Sequence, residues 1–65
     1  MSRSEFYRLL SATIRATLQD PLTREERAGA AHLTRRIAQA LGEHNTKFDR
    51  TRFLVDSDVR EAPTR

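Results

Sequence analysis

Between Arg3 and about Gln19 the apolar residues recur at helical spacing. Phe6, Leu10, Ile14 and Thr17 share one face at about 100° per residue, flanked by Tyr7, Thr13 and Leu18. Glu5, Arg8, Ala12, Arg15 and Gln19 fall on the far side. Ser2 followed by Glu5 has the spacing of a capping box, in which each residue satisfies an amide at the other. Asp20-Pro21 stops the helix, because the residue before proline is pushed out of the helical region. A second start follows at Thr23, with Glu26 three residues on and Leu22 just before the cap. This helix is expected over 24–44, ending near Asn45 in a left-handed cap. Ala30, Leu33, Ile37 and Leu41 line its apolar face, with Thr34, Ala40 and His44 at the edges. Glu25, His32, Arg36, Gln39 and Glu43 make its solvated face.

A third helix is expected over 50–56. Asp49 is its N-cap, and Phe48 and Phe53 stand at the two positions of a hydrophobic staple. Phe53 and Leu54 then point to the core, with Val55 as a candidate third. Leu9, Leu22 and Val59 fall outside the apolar stripes and read as exposed. From Ser57 the chain turns polar and includes Pro63, so residues 59–65 read as a flexible tail beyond one helical domain, 1–58. The expected fold class is all-α: a small three-helix bundle, or a helical hairpin with a short third helix packed back.

One strip of the second helix is nearly free of bulk: Ala28, Ala31, Arg35, Ala38 and Gly42. Another helix can approach closely there. Two occupants suit it. The first is this chain's own first helix or C-terminal segment. The second is a separate protein or a second copy, with Arg35 reaching across to an acidic group.

Composition favours such association. A chain of 65 residues buries only about 60% of its unfolded surface, so its core is thin. It has no cysteine, which removes disulfides and thiolate metal sites. Close helix packing or a partner must carry the stability. Twelve basic against nine acidic residues give a net charge of +3, a weak pull toward polyanions. No stretch approaches the roughly 20 apolar residues of a membrane span. The first residues, Met1-Ser2-Arg3-Ser4-Glu5, lack the apolar run of a signal peptide, so the expected location is the cytosol.

Catalytic and metal chemistry find little footing. His32 and His44 are twelve apart in sequence, whereas a zinc pair on one helix needs a spacing of three or four. Asp56-Ser57-Asp58 lacks the glycine turn and distal glutamate of a calcium loop. Glu25 and Glu26 open a helix, where the macrodipole favours negative charge. No serine or threonine lies in a nucleophile-elbow or phosphate-loop context. The expectation is a protein that is not an enzyme, needs no cofactor and takes no small-molecule substrate. Nucleic-acid binding is the rival to protein binding. Arg8, Arg15, Arg35, Arg36, Arg50 and Arg52 would supply the phosphate contacts if they converge. Glu5, Glu25, Glu43 and Asp49 are interspersed among them, however, and a footprint usually clusters one sign.

The run Lys47-Phe48-Asp49-Arg50-Thr51-Arg52-Phe53-Leu54 resembles a tail shared by many small, uncharacterised actinobacterial and actinobacteriophage proteins. In those an amphipathic helix precedes N-x-x-F-D-R-x-R-F-L, followed by a small residue, Cys and Gly. Asn45 through Leu54 fit that pattern, and a looser likeness extends back to about Leu33. The chain departs from it after Leu54, reading Val55-Asp56-Ser57-Asp58, so any thiol role in the family is absent here. The resemblance implies a small prokaryotic or phage accessory protein and no specific activity.

Overall fold

The computed structural model describes residues 1–61. It contains helices α1 (Arg3–Leu18), α2 (Arg24–His44) and α3 (Arg50–Asp56). All three N-caps are the residues expected. The Ser2 hydroxyl accepts from the Glu5 amide at 3.2 Å. Thr23 and Glu26 close a full capping box, each accepting from the other's amide, at 3.1 and 2.9 Å. Asp49 accepts from the Arg52 amide at 2.9 Å. At the end of α2, Asn45 takes an extended conformation rather than the expected left-handed one. Its side-chain oxygen accepts from the Lys47 amide at 3.1 Å and its carbonyl accepts from the Phe48 amide. That local turn sends the chain directly into α3.

The link Gln19–Thr23 turns the chain back, and α1 and α2 diverge from it, each touching α3 more than it touches the other. Arg27 fixes the closed end: its guanidinium donates to the Leu18 carbonyl, and to the Asp20 carbonyl at 3.4 Å. A cation here also suits the negative end of the α1 dipole. At the other end Tyr7 of α1 meets Phe48 edge-on, with ring centroids 4.8 Å apart. Phe48 in turn packs on Phe53 at 5.4 Å, so the staple links α1 to α3 through three rings.

The core is small: Leu18, Ala38, Phe53, Leu54 and Val59 are buried, with Leu10, Ile14, Leu22, Ala30, Ala31, Ile37 and Phe48 packed around them. The buried line of α1 is turned from the expected one. Tyr7, Ser11, Ile14 and Leu18 face inward, while Phe6 and Thr17 are exposed. Ser11 explains the rotation, since a small residue whose hydroxyl bonds the Arg8 carbonyl lets α3 come close. Leu33 and Val55, expected inside, are exposed.

The chain after α3 is also ordered differently from expectation. Ser57 is fully buried. Asp58 adopts φ 62°, and the amides of Asp58 and Val59 bond the carbonyls of Val55 and Leu54. This is a Schellman turn with aspartate in the left-handed position, and it folds Val59 back onto Leu54. Val59 therefore belongs to the core rather than to a tail. Thr51 and Arg35 hold the next two residues, through the Glu61 carboxylate at 3.1 Å and the Arg60 carbonyl at 2.7 Å. The remainder of the expected tail, residues 62–65, lies outside the described residues.

The molecule is flat. Its Cα atoms span 33 × 32 × 14 Å. The thin direction has room for two layers of helices with axes about 8–10 Å apart, and no third. A breadth of 32 Å is too wide for two helices packed side by side, so α1 and α2 diverge from their link and α3 lies against both, between them.

Candidate functional site

Which side of the α1–α2 pair α3 covers follows from the residues it meets. On α1, Ser4, Arg8 and Ser11 share a cleft with α3. On α2, the Arg50 side chain lies over Gly42, where an added Cβ would come within 2.8 Å of Arg50 Cδ. Taking the buried line of each helix as reference, Phe6 and Thr13 lie on the opposite rotational side in α1, while Leu9 points almost directly away from it. Ala30, Leu33, Ile37 and Leu41 lie on that opposite side in α2. In helices that face each other across α3, with the chain turned back between them, an equal rotational sense means the same face of the molecule. Exposed Phe6 and Leu33 therefore lie on the same face of the flat molecule, on helices that diverge.

This open side is apolar and uncharged along most of its length. Phe6 is 48% exposed, Leu9 55% and Leu33 61%, while Leu10, Ile14, Ile37 and Leu41 are half-buried beside them. Thr13 and Thr17 add little polarity, because their hydroxyls donate to the carbonyls of Leu9 and Thr13 at 2.8 Å each. Glu26 and His44 stand only at its ends. The Glu26 carboxyl is held below its ordinary range, first by the Thr23 amide and then by the Thr23 hydroxyl.

The expected small-residue strip is occupied within the chain. Ala38 is 1% exposed in the core cluster, Ala31 and Gly42 are half-buried, and Arg35 bonds the Arg60 carbonyl. Only Ala28, at its outer end, is exposed. Of the two occupants, the chain's own α3 and the segment after it fill the strip. It has no bulk because Phe53, Leu54 and Val59 need the space.

The six arginines considered for nucleic acid do not form one patch. Arg8 and Arg52 line the same cleft of about 430 Å³, together with Arg3 and Lys47 above a floor of Tyr7, Phe48 and Phe53. Arg52 is already paired with Asp56 at 3.2 Å, and Asp49 shares the rim. Arg50 and Arg35 are engaged with α2 and the Arg60 carbonyl respectively. Arg15 and Arg36 are exposed and outside the cleft. His32 and His44 are both exposed.

Sequence reasoning missed the open side because the pattern of α1 and α2 contains more apolar residues than one layer can cover. The surplus was legible; which residues α3 leaves uncovered was not. No helix among the described residues is long and apolar enough to cross a membrane. The chain matches no protein family, no curated protein and no solved structure.

Proposed function

We propose that this chain is a small non-enzymatic helical module that binds protein through the open side of α1 and α2. The observation that carries the proposal is the exposure of Phe6, Leu9 and Leu33, with Ile37 and Leu41 half-buried. Apolar side chains gathered on one face mark an interaction surface, whereas singly scattered ones do not. The non-enzymatic part draws support from the cleft. Its two carboxylates have structural work, Asp49 as the cap of α3 and Asp56 as the partner of Arg52. An accessory role in a bacterial cytosol, or in the host cytosol for a phage-encoded chain, rests on the resemblance carried by Asn45 to Leu54.

A second function, DNA or RNA binding, is favoured by one observation: Arg3, Arg8, Lys47 and Arg52 meet around an aromatic floor on which a base can stack. The carboxylates on the same rim weigh against it. Both are tested by capture from lysate with tagged wild type, Leu33→Glu and Arg8→Glu, with and without nuclease. A protein retained after nuclease and lost only with Leu33→Glu supports the helical module. Nucleic acid retained by wild type and lost with Arg8→Glu overturns it in favour of the basic cleft.

A further inference from the structure

Independently of the open side, we infer that the cleft between α1 and α3 binds one small ligand of mononucleotide size, a flat heteroaromatic ring carrying a phosphate monoester.

Shape is the first argument. Tyr7, Arg8 and Ser11 of α1 form one wall of the cleft, Arg52 and Phe53 of α3 the other, and Phe48 packs between them. Its volume of about 430 Å³ falls within the range of about 300–1,000 Å³ usual for small-ligand sites. The α1 wall runs from Arg3 to Ser11, a length of about 12 Å at the rise of a helix. Sites that track a single strand hold about four nucleotides or more, which a groove this short cannot seat. The cleft therefore suits one nucleotide better than the strand considered above. Phe53 is buried, but Tyr7 and Phe48 are only half-buried and open onto the cleft. Their rings stand 71° apart, so an inserted ring can stack on one and meet the edge of the other.

Charge is the second. Arg3, Arg8, Lys47 and Arg52 against Asp49 and Asp56 leave +2 of the chain's net +3 at this one place. Both carboxylates are engaged, Asp49 with the Arg52 amide and Asp56 with the Arg52 Nε. Arg3, Arg8 and Lys47 pair with no carboxylate among the described residues. A phosphate monoester brings about −1.5 to −2 charges at neutral pH and three acceptor oxygens, matching both the excess charge and the three free cations. A carboxylate, with a single charge, would leave the cleft half neutralised.

Asn45 is the third. Its side-chain oxygen accepts from the Lys47 amide, so its NH2 group is left as a donor on the cleft wall. That donor meets an acceptor on the edge of a nucleobase and finds none on a plain phenyl ring.

Heteronuclear NMR titration of the full chain with adenosine 5′-monophosphate tests the inference. Adenosine, inorganic phosphate, phosphotyrosine and an oligoadenylate serve as comparisons. The amides of Tyr7, Arg8 and Phe48 should shift saturably with a Kd of about 10–100 μM, the scale a ligand of this size permits. Adenosine and inorganic phosphate should each bind about tenfold more weakly or worse, since each uses only part of the cleft. Arg8→Ala and Lys47→Ala should each lose about tenfold, the worth of one hydrogen bond to a charged group. Both residues are exposed, so the variants should keep wild-type helicity by circular dichroism. Arg15→Ala, exposed and outside the cleft, should bind as wild type does. Leu33→Glu should also bind the nucleotide normally, which separates this site from the open side. Absence of saturable shifts at millimolar nucleotide overturns the inference, as does binding indifferent to both Arg8→Ala and Lys47→Ala. Inorganic phosphate binding as tightly as the nucleotide overturns it too, by showing a bare anion site. Tighter binding of phosphotyrosine or of the oligoadenylate overturns it in favour of a phosphopeptide or a strand.

Discussion

The two sides of the α1–α2 pair are built from similar sequence and have opposite fates. On the closed side, short residues (Ser11, Ala31, Ala38, Gly42) admit α3, which brings its own large side chains, Phe53 and Leu54, into the gap. On the open side the helices supply the bulk themselves, through Phe6, Leu9 and Leu33, and nothing among the described residues covers it. Residue size, more than hydrophobicity, therefore decides which side a small helical hairpin closes with its own third element. Where Cα traces must come close the sequence is small.

Truncating one residue from each side gives the sharpest test of that contrast. Phe53→Ala should cost about 3–5 kcal/mol, a large share of the stability available to a domain of this size. Urea denaturation followed by circular dichroism should show little or no folded baseline. Leu33→Ala, at an exposed position, should shift the same transition by no more than about 0.5 kcal/mol. Equal losses at the two positions would show that the open side is not open.

Ser57 offers the next largest effect, in the other direction. It is fully buried at the end of α3, and its hydroxyl makes no hydrogen bond among the described residues. Ser57→Ala removes an unsatisfied group while keeping the small volume, and should raise stability by about 1–2 kcal/mol in the urea midpoint. A loss instead would mean that the hydroxyl has a partner.

The two glycines of α2 separate the sides again on a smaller scale. Gly29→Ala meets open space and should stabilise the isolated chain by about 0.5–1 kcal/mol. In Gly42→Ala the same gain in helix propensity is opposed by the displaced Arg50 stem, 2.8 Å from the new Cβ. Its thermal midpoint should therefore rise less than that of Gly29→Ala.

The smallest effect is a pH dependence at the edge of the open side. Hydrogen bonds from Thr23 hold the Glu26 carboxyl below its ordinary value of 4.5 in the folded chain. A depressed folded value means that the contribution is present above the unfolded value and is lost as pH falls through the folded one. Acid titration of the urea midpoint should show a decline beginning near the ordinary carboxylate range. Glu26→Gln, which keeps an acceptor but cannot titrate, should remove that part of the slope.

The caps and the staple were legible because they are short-range devices. Ser2 with Glu5, Thr23 with Glu26, and Phe48 with Phe53 each depend on spacing along one turn. The faces were less so. Periodicity finds the apolar stripe of α1, but the stripe is wider than the strip that α3 and α2 cover, so Phe6 reads as core and is half exposed. Val59 was hidden for a different reason. A helix that ends in a Schellman turn usually announces it with glycine, and here Asp58 takes the left-handed position inside a polar run. The small-residue strip was visible as a place of close approach, but its occupant depended on where the turn after α3 sends Val59. The open side needed both facts at once, and neither is local.

The contact between Tyr7 and Phe48 joins the first helix to the last, and this ordering matters during synthesis. Chains emerge N-terminus first, at about 5–20 residues per second, so α1 and α2 exist for some time before α3 follows. During that interval Arg27 can already latch the hairpin, since its partners lie close in sequence. The hairpin would then be sticky on both of its sides. A nascent or truncated chain stopping before Phe48 should be a far better chaperone client, and a far more aggregation-prone fragment, than its modest length suggests.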